Sequence, residues 1–598
     1  MKQINEFKKN AVDIFVIEIL VLLLFILQFQ VWNKNFHVPY FTTGDDFWRN
    51  SIFYNVISGS KWFISYNTQF PFCGVEIIPL EGYFNQWIQI CTAKIFKNIG
   101  YVSWFFLYFT YSLTALLTFL SLRVLDIKRI TALVGAILYD FIPYHFYRIV
   151  HWNLLSYYTL PVLLSMCLLL SKYAIQKKEY VDISSSEKKW LFFCFLNSLI
   201  LGMSSIYYLL FVSFCISFSL IFGIINKNKV SVFSSLLSIF LLYLGMIICV
   251  AYGNYLKAYA ENNIQINLPA SSNSFFYTSG TRTLWDIAAY QLPVVDLFLP
   301  FRSIIPWVEQ IAKIIHQRNV FVLEDNFMAI LGFPLSMSLI VSILFLFKNN
   351  KDNLILHLCS KYNLVLIFFS TTLGLSLFVG LLTTGIRSYN RFSIFIAFFC
   401  VIFLCLFVDT YFSSNKKFYW FIMFVIFITG LITEISPKDG KYLGLAVYDG
   451  YAYCDEYTQI EATYKECEEI ISFIEETKTG ARIAFWNIKD AKNIYISALS
   501  KNSYFNLPKS NYEYENFWQK QKDLNVNERL DNLYHLGYDY IILSDFTENF
   551  VSDGNSLEEL LGVPVKTTTH IKIYKLNNSN NIDIETAKER FYEFYNKQ

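Results

Sequence analysis

Residues 190–225 read WLFFCFLNSLILGMSSIYYLLFVSFCISFSLIFGII, an apolar run with no charged residue in it. A helix crosses the hydrocarbon core of a bilayer in about 20 residues, so the run is too long for one crossing, even a tilted one. At its middle, Gly202-Met203-Ser204-Ser205 supplies the small and polar residues of a tight turn, which divides it into two antiparallel spans. A re-entrant kink is the other reading of the same four residues. Either way the segment belongs in lipid.

The rest of the chain agrees. Of 598 residues 55% are hydrophobic and only 16% charged, with a mean hydropathy of +0.37. Soluble proteins carry about 25% charge, so disorder, a collagen-like repeat and an ordinary cytosolic enzyme are excluded. Lys+Arg 49 against Asp+Glu 47 leaves +2, without the basic field of a nucleic-acid binder. The 19% of aromatic residues suits rings that face lipid or sit at its interface.

Span-length apolar stretches occur at 11–32, 101–122, 130–147, 154–171, 190–206, 207–225, 230–252, 327–347, 364–383, 392–412 and 418–435. The expected fold is therefore mainly α, a polytopic transmembrane bundle of about eleven spans. Cations gather before the first span (Lys2, Lys8, Lys9) and after every second one thereafter. These are Arg123, Lys128 and Arg129; Lys172, Lys177, Lys178, Lys188 and Lys189; Lys227 and Lys229; Lys348, Lys351 and Lys361; Lys416 and Lys417. With eleven spans all of them fall on one side, the cytoplasm, which leaves the C-terminus outside. No small-x-small site follows Trp32, so the first span reads as a retained anchor.

Residues 1–435 then form the membrane domain, with outer loops at 33–100 and 253–326, and 436–598 form an extracytoplasmic α/β domain. In the tail, Glu461 to Glu476 and Glu528 to Leu536 suit helices. Ala481 to Trp486, Tyr538 to Ser544 and Val565 to Leu576 suit strands. Cys73 and Cys91 share the first outer loop and Cys454 and Cys467 the tail; each pair can oxidise outside or stay free. Neither has the partner set that zinc needs.

Candidate chemistry gathers at the outer face. Tyr40-Phe41-Thr42-Thr43-Gly44-Asp45-Asp46-Phe47-Trp48-Arg49 follows the first span closely. Paired carboxylates beside a low-dielectric phase raise each other's pKa, which suits a general base for a sugar hydroxyl. A capped helix, with Asp45 or Asp46 as N-cap and Arg49 as ion-pair partner, explains the same residues. His145, Arg148 and His151 close the third span and, in a helix, share a broad face able to hold phosphate. Interfacial anchoring is the plainer reading. Arg387 and Arg391, in Thr383-Thr384-Gly385-Ile386-Arg387-Ser388-Tyr389-Asn390-Arg391, run against the positive-inside trend, as a phosphate clamp or a headgroup anchor would. Glu81 with Asn85, and Glu324 with Asp325 and Asn326, are weaker candidates that a solvated loop also explains.

Several motifs are missing: GxxxxGK[ST], a GxGxxG after a strand, HExxH and GxSxG. ATP-driven transport and hydrolase chemistry lose ground accordingly. Charges deep in the spans are few, Glu18 and Asp140 among them, whereas a coupled transporter needs midplane charges or broken helices.

The arrangement resembles the GT-C superfamily of membrane glycosyltransferases, whose first outer loop carries an essential acid just after the first span. It is more closely similar to a group of bacterial polytopic proteins, the YfhO-like branch among them. Gly44-Asp45 carries the resemblance, with Leu138-Tyr139-Asp140-Phe141-Ile142-Pro143-Tyr144-His145-Phe146, Arg148 and His151, with Ile386-Arg387-Ser388-Tyr389-Asn390-Arg391-Phe392-Ser393, and with the α/β tail.

The resemblance implies a polyprenyl-phosphate-sugar donor and transfer to an envelope glycan, lipid or protein acceptor at the outer face of a bacterial cytoplasmic membrane. Asp45 would be the base, with Asp46 the fallback because the acid is doubled. Arg387 and Arg391, joined by Arg148, would hold the leaving phosphate, and transfer would proceed by single displacement with inversion. No cofactor is implied, and a divalent metal at Asp45 and Asp46 is allowed but not required. A lipid-linked-sugar flippase and a non-catalytic scaffold of envelope assembly are the alternatives from other classes.

Overall fold

The computed structural model describes the chain outside residues 41–48, 66–73, 76–81, 177–183, 265–283, 299–309, 315–328, 349–352, 383–387, 434–456, 487–495, 501–502, 506–516, 545–549 and 577–581. Isolated positions 1, 58, 60, 150, 312–313, 372–373, 497–498, 519, 522–523 and 598 also lie outside the description.

Each stretch read as a span holds a helix. They are α1 (Lys2–Phe29), α4 (Ile99–Val124), α5 (Arg129–Asp140), α8 (Leu160–Ile175), α9 (Ser185–Gly202), α10 (Ile206–Ile225), α11 (Lys229–Ile264), α13 (Phe333–Phe345), α14 (Leu354–Ser370), α16 (Ser393–Tyr411) and α17 (Lys416–Thr433). Between them lie shorter helices: α2 (Arg49–Ile57), α3 (Tyr83–Phe96), α6 (Pro143–Tyr147), α7 (Trp152–Leu155), α12 (Leu284–Ala289) and α15 (Ser376–Leu382). Five described helices are long and apolar enough to cross a membrane by length and composition, and three shorter apolar ones accompany them. This is a multi-pass membrane protein.

The window containing α16 is 83% buried, so α16 is the centre of the bundle, whereas those of α1 and α11 are 33% buried and leave most of their surface for lipid. Without a hydrophobic drive between helices in lipid, small and hydroxyl side chains do the joining. Ser171 of α8, Ser219 of α10 and Tyr362 of α14 meet through hydroxyl contacts of 3.0–3.1 Å. At the opposite end from the site described below, Asp409 of α16 accepts from the Lys128 N–H at 2.7 Å and from the Thr131 hydroxyl at 2.6 Å. A carboxylate there answers the unpaired N–H groups of the α5 N-terminus.

The uncharged run of 190–225 divides as its turn residues suggest: α9 stops at Gly202 and α10 resumes at Ile206. Gly202 serves a second purpose. A Cβ there would stand 2.0 Å from the Leu242 carbonyl oxygen of α11, and one on Gly245 would stand 2.4 Å from that of Leu199. The two helices cross backbone to backbone at this pair. Gly202→Val is expected to force them apart at a cost of about 1–3 kcal/mol, read as a lowered melting temperature in detergent. An unchanged melt would mean the crossing is not close.

Other boundaries differ from the hydropathy reading. The stretch 130–147 is not one span, because α5 ends at Asp140 and α6 starts afresh at Pro143. The stretch 364–383 begins earlier, so Lys361 lies exposed on α14 rather than in a loop. The helix read at 230–252 continues to Ile264.

In the tail, α18 (Tyr457–Thr477), α19 (Val526–His535), α20 (Phe550–Leu561) and α21 (Ile584–Lys597) accompany a five-stranded sheet. With β1 (Ile64–Ser65) and β2 (Gly74–Val75) paired in the first loop, the sheet strands are β3 (Arg482–Phe485), β4 (Tyr504–Phe505), β5 (Tyr540–Ser544), β6 (Lys566–Thr567) and β7 (Ile571–Lys575). Their order is β4-β3-β5-β7-β6, with β3 parallel to both neighbours and β7 antiparallel to both of its own. Val565 to Leu576, read as one strand, is a hairpin that turns at Thr568-Thr569-His570. Glu466 of α18 clamps that turn, accepting from the His570 N–H at 2.7 Å and meeting its Nδ1 at 3.0 Å. Burial pushes the Glu466 carboxyl up, but bonds from Thr568 and His570 outweigh it and hold the group below the usual carboxylate range. The boundary read at 435/436 falls outside the described residues, as do Cys73 and Cys454.

Candidate active site

The break after α5 is written in the backbone. Ile142 precedes a proline, is pushed out of the helical region (φ −59°, ψ 150°), and Pro143 then starts α6 with its fixed φ and no N–H to satisfy. Three positions therefore leave the single helical face that their spacing suggested. His145 lies inside α6, Arg148 ends it, and His151 precedes α7.

His145 is fully buried and turns back on the break, its Nδ1 lying 2.7 Å from the Asp140 carbonyl oxygen and 3.2 Å from the Asp140 carboxylate. A proton on Nδ1 is required by the carbonyl. The ring is stacked on Tyr111 with centroids 3.8 Å apart and planes at 8°, while Tyr157 meets it edge-on at 4.7 Å. This arrangement fixes the α5–α6 bend. Asp140, counted as one of the rare charges within the spans, is half of that pair.

Arg148 is 1% exposed, with its guanidinium 5.2 Å from the Tyr144 ring centre. The Tyr208 hydroxyl donates to the Leu154 carbonyl at 2.6 Å, so in the 3.0 Å contact with Tyr144 it accepts. Arg148 thus reaches the start of α10 through Tyr144. Arg391 arrives on a 3-10 turn at Tyr389–Phe392, which is held by the Asn390 N–H donating to the Tyr290 carbonyl at 3.0 Å and by Phe392 stacked on Phe211 at 3.9 Å. Its guanidinium lies 4.1 Å from the centre of the Tyr207 ring. Two cations from distant parts of the chain thus flank the start of α10.

The first loop closes on the same end of the bundle. Trp104 Nε1 donates to the Val38 carbonyl at 3.1 Å, and the Tyr40 N–H donates to Ser103 Oγ at 3.2 Å. Phe53 of α2 stacks on Trp152 of α7, centroids 5.3 Å apart and planes at 13°. Gly82, at φ +49°, presses on the α9–α10 turn so closely that a Cβ would lie 1.9 Å from the Ser204 carbonyl oxygen. Asn85 accepts from the Tyr158 hydroxyl at 2.7 Å. Asp45, Asp46, Glu81, Glu324 and Arg387 lie outside the described residues. His145, Arg148, His151 and Arg391 are described, and of these Arg148 and Arg391 pack on tyrosines, Tyr144 and Tyr207, at the start of α10.

Sequence reading passed over Asp296, a lone acid in Val294-Val295-Asp296-Leu297-Phe298. It is 2% exposed in a short helical turn of the second long loop, and burial raises its carboxyl to about 8. The folded state then holds a proton that the unfolded chain releases, so stability falls as pH rises from 3.8 towards about 8. Asp296→Asn should flatten that part of a melting-temperature–pH profile, and an unaltered profile would refute the assignment. The only signal in the sequence was an acid inside an apolar run. Among the described residues no group of three His, Cys, Asp or Glu side chains could hold a metal.

No family model and no curated protein matches this chain. Solved structures similar to it include the following two. The oligosaccharyltransferase of Archaeoglobus fulgidus, in complex with zinc and sulfate, is 12% identical with a TM-score of 0.43, covering 91% of this chain and 69% of its own. ArnT from Cupriavidus metallidurans in the apo state is 11% identical with a TM-score of 0.45, covering 93% of this chain and 97% of its own. At these identities and scores, neither likeness carries a substrate or a residue role over to this chain.

Proposed function

We propose that the chain is a membrane glycosyltransferase that moves a sugar from a polyprenyl-phosphate donor to an envelope acceptor, by single displacement with inversion, at the outer face of a bacterial cytoplasmic membrane. One observation carries the reading. Arg148, packed on Tyr144 whose hydroxyl meets that of Tyr208, and Arg391, packed on Tyr207, flank the start of α10 at the end of the bundle where the chain on either side of Asp45 and Asp46 is anchored, at Tyr40 and through α2.

Asp45 takes the proton of an acceptor hydroxyl, with Asp46 as its alternate. The oxygen attacks the anomeric carbon as the bond to the phosphate oxygen breaks, and negative charge grows on the departing lipid phosphate. Arg148, Arg391 and Arg387 stabilise that charge where water is scarce, so their attraction is worth more in the transition state than in bulk solvent. His145 and Asp140 act one step back, holding the bend that presents Arg148. His151, Glu81 and Glu324 are assigned to substrate binding.

The test is transfer itself: the full chain in lipid vesicles, supplied with radiolabelled polyprenyl-phosphate sugars and crude envelope acceptor. Label leaving the lipid for a water-soluble or glycolipid product is expected. Labelled lipid crossing the bilayer with its sugar bond intact would overturn the transferase reading in favour of a flippase.

A further inference from the structure

A cavity of about 450 Å³ opens between the first outer loop, α3 and the last turns of α11, and none of the arginines discussed above lines it. Trp62, Ile90, Leu256 and Tyr259 make an apolar and aromatic wall, and Lys61 and Lys94 bring two cations to it. No acid is among its described lining residues. Lys61 donates to the Tyr259 hydroxyl and lies 3.8 Å from the centre of that ring, so its partner among the described residues is neutral.

The position is as telling as the lining. Lys94 is in the last turn of α3, whose end leads directly into the start of the spanning helix α4. Beside the cavity Ile95 is 74% exposed and Tyr255 63% exposed, and Phe96 packs against Phe105 at 5.6 Å on the outward face of α4. Apolar groups exposed at the end of a span meet acyl chains. Paired cations on the side that the positive-inside trend leaves poor in Lys and Arg call for an anion.

We propose that this cavity seats the headgroup of an anionic bilayer phospholipid, with its phosphate held by Lys61 and Lys94 and its acyl chains lying along Ile95, Phe96 and Tyr255. The two lysines supply the charge for the phosphate, and the apolar wall continues into exposed apolar side chains that suit the acyl chains. Such a lipid would brace the first loop against α11, and this role stands apart from the transferase reading.

Native mass spectrometry of the delipidated full chain, titrated with phosphatidylglycerol or phosphatidylcholine, tests it. One tightly retained phosphatidylglycerol is expected, with at least about five-fold weaker retention (about 1 kcal/mol at RT ≈ 0.59 kcal/mol) in the Lys61→Gln/Lys94→Gln double variant. The control Lys227→Gln/Lys229→Gln, at the other end of the bundle, should retain lipid like the parent. Ile90→Phe, which fills the cavity and keeps both charges, should also weaken retention. Equal retention of phosphatidylcholine, unchanged retention in the double variant, or inorganic phosphate alone displacing the lipid from parent and double variant alike would overturn the proposal.

Discussion

Asp45→Asn is expected to lower sugar transfer by about 10²–10⁴-fold, the usual worth of a positioned general base. The amide keeps the size of the carboxylate, but it is neutral and cannot take a proton. Chain location adds to the argument: the doubled acid lies between Tyr40, tied to Ser103, and α2, whose Phe53 is stacked on Trp152. Asp46→Asn should cost much less if Asp45 is the base, and the reverse ranking would exchange their roles. Full transfer in both variants, with melting temperatures like the parent, would remove these acids from the mechanism and leave the arginines without a partner in it.

Loss of Arg391 is expected to be nearly as severe. Arg391→Gln should cut kcat by about 10²–10³-fold, as removing one donor to a developing anion does elsewhere. The loss should fall on kcat more than KM, because the charge on the leaving phosphate is largest in the transition state. Arg391→Lys should recover only part of it, since an ammonium cannot reproduce the flat guanidinium now placed 4.1 Å over Tyr207. Arg148→Gln should behave similarly in rate but also lower stability, because Arg148 is almost entirely buried. The double variant should lose less than the product of the two single losses, as expected of groups sharing one phosphate. An Arg391→Gln protein with parental kcat would refute the clamp.

The membrane bundle was legible because apolar runs of span length leave few alternatives, and Gly202 to Ser205 marked its own turn. Where the reading slipped, hydropathy had no access to the deciding term. It sees Phe141-Ile142-Pro143 as apolar and continuous, although Pro143 ends hydrogen bonding there. Once the helix breaks, Asp140 and His145 become partners across a bend, which helical spacing does not suggest. The convergence of Arg148 and Arg391 needs the packing of α10 between two loops and has no local signature. The hairpin at 565–576 escaped notice because Thr568-Thr569-His570 contains none of the glycine, proline or asparagine that usually announces a turn. Asp296 was hidden for the opposite reason, since a polar residue in a loop looks solvated until the loop is folded inward.

The 36 residues of α11 have one further consequence. At 1.5 Å per residue the helix measures about 54 Å, well beyond the roughly 30 Å thickness of a hydrocarbon core. The helix is fixed against α9 at the Gly202–Gly245 crossing, so the place of its C-terminal end relative to α9 is set by helix packing. The distance from that crossing to the end of α11 is thus a property of the helix itself, changed by about 1.5 Å for each residue added or removed.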